Sequence, residues 1–437
     1  MMKLPQIIKT ISKILKKQNT KAIIVGGAVR DHFLDVASKD MDIEVYGLAS
    51  IDDLELILKQ YGSVTYVGKS FAVLKFTYKT EVYDFSFPRL ETKTGQGHRG
   101  FSVNMDGNLD FLIASKRRDF RINALGYDIE KAQFIDPFGG LEDIKNKTLR
   151  HIDEVTFIED PLRVYRAIQF SARFTYKLAE ETLLLCKYMV EEGMLEELSK
   201  ERVYSEWAKL LLKSTQPSYG FELMKKLGIL KRYFPELYTL VGLKQSPLKK
   251  FEIDIWTHTM LCVDAMARLV DENETLKLQY MFAILCHHLG KDTKSFMCRL
   301  TNRHTFIEKI LPLVEHYLKP SQFYEAQAKD SAIRKLATKV SIEELVVVAK
   351  ADFLGGTREE PSNKVYHAGV WLLKKAKELN VDKKPLDNMI QGKDLIALGF
   401  MPSPKFKKIL DSIYDLQLEG TLKSKDEALV YIKKTYS

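Results

Sequence analysis

Apolar positions follow two different spacings along this chain, and the change from one to the other divides it. Ile7, Ile8, Ile11, Ile14 and Leu15 recur at helical spacing with lysines between them, which predicts an amphipathic helix docked on a core. From there to about residue 150, short alternating or continuous apolar runs predict strands at 22–25, 42–46, 64–67, 72–78 and 81–87. Helices are expected from about residue 28 and near 51–60. Residues 89–117 carry glycines and charges with little periodicity and predict a long mobile loop. After the turn cluster Asp136-Pro137-Phe138-Gly139-Gly140 the spacing is helical to the end. Asp160-Pro161 reads as a helix start, with Asp as the cap and Pro at the first helical position. The expected class is α+β, a small mixed sheet followed by helices, with domains at 1–150, 151–215, 216–384 and 385–437.

Composition narrows the setting. A hydrophobic share of 45% over 437 residues is ample for sizeable cores. No apolar run approaches the roughly 18–20 residues of a membrane span, so no membrane is expected. The first residues lack the continuous apolar core and small-residue cleavage site of a signal peptide. Cys186, Cys262, Cys286 and Cys298 form no CxxC pair, which implies reduced thiols and a cytoplasmic protein. A net charge of +9 suits a polyanionic partner but does not by itself identify one.

The candidate chemistry opens at residues 23–46, a strand, a Gly26-Gly27 turn, a helix and a second strand led by Asp40-Met41-Asp42. Alternate strand residues share a face, so the two carboxylates point the same way, roughly 7 Å apart. Magnesium takes oxygen ligands, commonly one or two carboxylates plus substrate phosphates. A glycine turn before a helix lets backbone N–H groups approach phosphate, and Arg30 adds a charge one turn in. Either half alone is as well explained by a solvated Asp-x-Asp or an ordinary strand–helix turn.

Further stretches recur in order. Gly26-Gly27-Ala28-Val29-Arg30-Asp31 is followed by Asp40-Met41-Asp42, then by Arg117-Arg118-Asp119-Phe120-Arg121-Ile122-Asn123-Ala124. Next come Asp136-Pro137-Phe138-Gly139-Gly140 and Glu159-Asp160-Pro161-Leu162-Arg163, continued by Arg166 and Arg173-Phe174. This succession resembles the class II tRNA nucleotidyltransferase and bacterial poly(A) polymerase family, with Arg121 where Thr is usual. The resemblance covers residues 20–175 nearly without a gap. It implies a polymerase-β-type catalytic head, then an all-helical neck, body and tail. It implies Mg²⁺ held by Asp40 and Asp42, CTP and ATP as substrates, addition of CCA to the 3′ end of tRNA, and tRNA bound at its 3′ end and acceptor stem.

Base choice in such a family is attributed to the residues matched by Asp160 and Arg163. With Arg166 and Phe170 they fall near one face of a helix. Cytosine and adenine both present an exocyclic amine beside an unprotonated ring nitrogen, which a carboxylate and a guanidinium held together complement. Uracil and guanine present the reverse pattern. A plain N-cap role is the structural alternative for Asp160. Arg117, Arg118 and Arg166 are the candidates for the triphosphate, although one of the adjacent pair can equally form an ion pair. Asp84 is a possible third acid and is left outside the metal set.

A second constellation, His258, His287-His288 and Asp352, resembles the HD phosphohydrolase domain, with His288 where the paired Asp belongs. Neutral imidazole in place of a bridging oxygen weakens any two-metal site, so the expectation is a helical scaffold with lost or altered hydrolase chemistry. Lys405, Lys407 and Lys408 lie in a tail that the resemblance associates with tRNA. The main alternative is an A-adding enzyme that follows a separate CC-adding partner. A poly(A) polymerase is disfavoured because residues 68–72 read Gly-Lys-Ser-Phe-Ala where those enzymes carry a basic glycine-arginine stretch. The intact carboxylate pair argues against a non-catalytic RNA-binding protein, and His288 against a phosphohydrolase as the main activity.

Overall fold

The computed structural model describes residues 1–37, 40–67, 73–93, 95, 101–244, 254–270, 273–356 and 365–436. The stretch at 68–72 lies outside them. The chain forms two compact units, residues 1–214 with 219–229 and residues 215–218 with 230–437.

The first unit is built on a sheet. Its strands are β1 (Lys21–Val25), β2 (Asp42–Tyr46), β3 (Ser63–Val67), β4 (Val73–Tyr78) and β5 (Glu81–Ser86), with a hairpin of β6 (Arg89–Lys93) and β7 (Phe101–Met105) beside it. Two three-residue strands, β8 (Gly126–Asp128) and β9 (Gln133–Ile135), complete the larger sheet in the order β3-β4-β5-β2-β1-β8-β9. β2 and β5 run parallel and the other neighbours antiparallel, so the sheet is mixed as the sequence implies.

Alternation decides what each face carries. Ile43 and Val45 of β2 join Ile24, Leu74, Phe76 and Phe85 in the main core. The helix Gln6–Lys17 covers that face with Ile7, Ile8, Ile11 and Leu15, and Ile51–Lys59 adds Leu54, Ile57 and Leu58. Full burial of such a side chain stabilises by about 1.5–3 kcal/mol, so the first helix is part of the core. On the other face Ile23, Val25 and Tyr46 pack against Phe111 and Ala114 of the helix Phe111–Lys116. Asp42 and Glu44 share this second face.

The loop expected at 89–117 is corrected. β6 and β7 pair antiparallel from Arg89↔Met105 to Lys93↔Phe101, and the helix Phe111–Lys116 follows. The hairpin is held by backbone bonds, while Leu90 and Met105 stay exposed. It therefore leaves no hydrophobic alternation for the sequence to display. Further on, the helix Leu162–Phe174 begins beside the expected start, with Asp160 Oδ1 accepting from the Leu162 N–H at 3.2 Å.

The second unit is helical. Glu274–Cys286 buries nine of its residues, the pattern of a helix enclosed on all sides, and belongs to a group with Ile255–Leu269 and Ile342–Gly355. A separate core of Ile390, Leu395, Ile409, Ile413, Leu422, Ala428 and Ile432 holds the last helices together. Among the described residues, no helix is long and apolar enough to cross a membrane.

Candidate active site

Asp42 is the first residue of β2, in register with Val25 on one side and Asp84 on the other. Asp84 thereby joins the face of Asp42. Burial pushes the Asp42 carboxyl above the usual range; Arg118 opposes this, and Asp84, Asp40 and Glu44 add to it. Asp84 is raised by burial and by Asp40, against the opposing charge of Lys75. An all-oxygen group whose own charges repel is the donor set that a hard divalent cation relieves.

Around this strand lies a cleft of about 420 Å³ that brings together Gly26, Gly27, Arg30, Asp42, Arg117, Arg118, Asp160, Arg163 and Arg166. Asp40 is outside its lining and acts on it through charge. Phe170 lines the cleft with Asp160, Arg163 and Arg166, so the expected shared face is real. Arg89 and Arg202 also line it, giving seven arginines against Asp42, Asp119 and Asp160. A second cavity of about 450 Å³ beside Lys177, Tyr219 and Lys226 contains none of the candidate residues. The concentration of guanidinium groups favours the first as the place for a triphosphate.

Each arginine is held by partners. Arg117 Nη2 and Arg118 Nη2 donate to Glu44 Oε1 at 2.9 and 3.0 Å. Arg166 Nε donates to Asp119 Oδ2 at 2.7 Å, and Asn123 Nδ2 donates to Asp119 Oδ1 at 2.8 Å. Burial pushes Asp119 up, but Arg166, Asn123 and Arg163 outweigh it and hold the carboxyl below the usual range. Arg30 is buried, donating to Asn123 Oδ1 at 2.5 Å and to Asp31 Oδ1 at 2.8 and 2.6 Å. Its guanidinium lies over the Phe170 and Phe174 rings, 5.1 and 4.9 Å from their centroids. Arg30 is thus a brace between the helices Gly27–Phe33 and Leu162–Phe174, with most of its donors committed.

At the other end of the cleft, Arg163 donates through Nη1 to the Thr156 carbonyl at 2.9 Å and through Nη2 to the Arg117 carbonyl at 2.5 Å. Asp160 accepts from Arg202 Nη2 at 3.1 and 3.0 Å. The two groups expected side by side are therefore each fixed by other neighbours. A carboxylate has about four acceptor sites, so Asp160 keeps capacity for another donor beyond Arg202 and its own cap bond.

Comparisons with known proteins give the family and the fold. Residues 22–150 match the Poly A polymerase head domain, and residues 175–240 match a domain described as the probable RNA and SrmB-binding site of polymerase A. The Multifunctional CCA protein of Shewanella denitrificans is 36% identical over 300 residues, 68% of each chain. The chain belongs to the tRNA nucleotidyltransferase/poly(A) polymerase family. The Multifunctional CCA protein of Mannheimia succiniciproducens is 38% identical over 271 residues, 61% of this chain, and the chain spans 62% of that relative's length. The Bacillus stearothermophilus CCA-adding enzyme in complex with CTP superposes with a TM-score of 0.72 at 22% identity, covering 99% of this chain and 98% of that one. The Thermotoga maritima CCA-adding enzyme complexed with tRNA gives 0.62 at 22% identity, with coverage of 99% and 97%. These two likenesses establish the fold.

In this member of the nucleotidyltransferase family, sequence reasoning passed over Glu44, Asp119, Asn123 and Arg202 as site residues. Asp119 and Asn123 stand inside a quoted motif and Glu44 two residues beyond Asp42, where their buried bonding has no sequence signal. Arg202 is joined to Asp160 only by tertiary structure. Gly26 has φ +69°, and a Cβ built there would lie 2.7 Å from Arg118 Nη1. Gly26→Ala is therefore expected to displace Arg118 and cost on the order of 1–3 kcal/mol of stability. Thermal unfolding checks this, and an unchanged midpoint would show that the turn tolerates a side chain.

The second constellation also converges, within the helical unit of this family member. His258, His287, His288 and Asp352 form the one group of three or more His, Cys, Asp or Glu among the described residues whose ligand atoms all lie within 4.8 Å of one another. His258 Nε2 is 2.9 Å and His287 Nε2 3.3 Å from Asp352 Oδ1. His287 Nδ1 is 2.5 Å from the Ile284 carbonyl. A carbonyl only accepts, so Nδ1 carries a proton and Nε2 is the ring atom directed at Asp352.

Proposed function

We propose that the protein extends the 3′ end of tRNA with the full CCA sequence, using CTP and ATP, magnesium and no nucleic-acid template. The observation that carries this reading is the single cleft shared by the glycine turn, the acidic strand and the Asp160–Arg163 helix start. Phosphate chemistry and base choice then occur in one volume. The relatives named for CCA, the solved likenesses with CTP and with tRNA, and the match at 175–240 support the same substrates.

The family's chemistry uses a divalent metal. We assign Asp40 and Asp42 as its ligands, with Asp84 in the same acidic group. Magnesium bound there would activate the tRNA 3′-hydroxyl and neutralise charge on the departing pyrophosphate. Backbone N–H groups at Gly26-Gly27 approach the phosphates, and Arg117, Arg118 and Arg166 hold them. Asp160 accepts the exocyclic amine of C or A, and Arg163 donates to the adjacent ring nitrogen. RNA is held through backbone and shape. We assign residues 1–150 as the catalytic head, 151–215 as the neck, 216–384 as the body and 385–437 as a tail that touches tRNA. A tRNA substrate and four free cysteines support a cytoplasmic location.

The test offers labelled CTP and ATP to tRNA ending at the discriminator base, at C and at CC. Extension of all three to CCA is expected. Extension of the CC-ended substrate alone would make this an A-adding enzyme.

The helical unit supports a second reading, an altered transition-metal site at His258, His287, His288 and Asp352. The convergence of three imidazoles and one carboxylate, with ligand atoms all within 4.8 Å of one another, is the observation that favours it. Three imidazoles and one carboxylate suit zinc, nickel or cobalt. Protein reconstituted with one of these and then desalted is expected to keep about one equivalent by elemental analysis, in line with a single four-ligand site. His287→Ala is expected to lose it. Equal metal content in the two proteins would remove the site.

A further inference from the structure

Glu44 has no part in the chemistry proposed above and does not line the cleft, yet it lies behind two of the cleft's arginines with 2% of its surface exposed. A buried carboxylate is costly unless its charge is matched and its oxygens are bonded. Here Oε1 accepts from Arg117 and Arg118, and Oε2 accepts from the Tyr46 hydroxyl at 2.7 Å. Burial pushes its pKa up, and Arg118 with Arg117 outweighs burial, so Glu44 stays ionised.

The two arginines are consecutive, and their like charges would drive them apart without a shared partner. With Glu44 in place they converge on a single oxygen. Each then connects to a different part of the site. Arg118 lies against Gly26, while the carbonyl of Arg117 receives the Arg163 guanidinium. Glu44 also sits two residues beyond Asp42 on the same face of β2. One strand thus carries a candidate metal ligand and the anchor of two candidate phosphate ligands.

We propose that Glu44 is a positioning residue, which locks Arg117 and Arg118 into the orientation that receives a nucleoside triphosphate. This rests on the function proposed above. Arginine side chains carry large rotamer entropy, and a site that has fixed them beforehand binds its ligand with less loss on ordering. A mere counter-charge would act in the opposite direction, since its removal would make the cleft more positive and attract phosphate more strongly.

Glu44→Gln separates these roles. The amide oxygen can still accept from both guanidinium groups and the amide nitrogen can donate to the Tyr46 oxygen, but the charge that restrains the arginines is gone. The probe is inorganic tripolyphosphate with Mg²⁺, measured by calorimetry on the full chain. Binding is expected to weaken about tenfold, the worth of roughly one charge-assisted hydrogen bond. KM for CTP and for ATP should rise by the same factor, with KM for tRNA unchanged. A purely structural role would not produce that split. Tyr46→Phe removes only the phenol donor and keeps both ion pairs, so it serves if Glu44→Gln does not fold; roughly threefold weaker tripolyphosphate binding is expected from its lost neutral bond.

Equal or tighter tripolyphosphate binding by folded Glu44→Gln overturns the proposal, as does unchanged binding by Tyr46→Phe when Glu44→Gln is unfolded. No binding by the wild type overturns it too. A wild type that binds tripolyphosphate but adds nothing to tRNA would instead refute the transfer reaction and leave the role of Glu44 in phosphate binding standing.

Discussion

Asp42→Asn is expected to reduce nucleotide addition by about a thousandfold or more, the scale reached when one strong transition-state contact is removed. Asparagine keeps the size and the strand position but lacks the charge that a hard cation requires. The residue opens β2 between Val25 and Asp84, where burial and its acidic neighbours already hold its carboxyl above the usual range. Protons therefore compete with the cation further up the pH scale than at an ordinary aspartate. The acid limb of the wild-type rate profile should move to lower pH as Mg²⁺ is raised, because metal and proton bind the same oxygens. Incorporation of labelled CTP into tRNA measures the rate, and gel-shift binding should show tRNA affinity retained. Wild-type incorporation by Asp42→Asn would sink the metal assignment.

Arg163→Ala is the second large effect, and it concerns selectivity. Its guanidinium is pinned by the carbonyls of Thr156 and Arg117 and lies 5.9 Å from the Phe157 ring centroid. A fixed donor of this kind penalises a base that presents N–H at the same position, since two donors then face each other unpaired. Loss of one such paired contact corresponds to about 1–3 kcal/mol, so discrimination of CTP and ATP against UTP and GTP should fall roughly 10–100-fold. Competition assays with all four nucleotides read the ratio directly. If base choice is unchanged, Arg163 is a brace and Asp160 must read the base with another partner, for which Arg202 is the nearest candidate.

The parts legible in the sequence are those that bury apolar side chains at regular spacing. The first helix, β1, β2 and the core residues on them follow from periodicity, because Ile7, Ile11, Ile24 and Ile43 have no other use. β8 and β9 were not legible, since three residues are too few to establish a period. The hairpin of β6 and β7 gives no strand signal because it is joined by backbone pairing and leaves Leu90 and Met105 exposed. Motif order singles out Asp40, Asp42, Asp160 and Arg163 as candidates. It does not show the bonds that fix the arginines, because Glu44 looks like one more acid after Asp42 and nothing in the sequence says that it is buried. Asp84 has no sequence signal for a related reason. Only the parallel pairing of β2 with β5 sets it beside Asp42, and parallel neighbours leave no local turn to announce them.

The register of β2 has a consequence for folding as well as for chemistry. Asp42 and Glu44 alternate with Ile43 and Val45, so a slip of one residue against β1 would turn both carboxylates into the apolar core and Ile43 and Val45 into the cleft. A chain misaligned in this way is inactive and destabilised together. Recovery of nucleotide addition after refolding from denaturant should therefore track the fraction of molecules that have paired this single strand correctly, which would make catalysis a reporter of strand alignment.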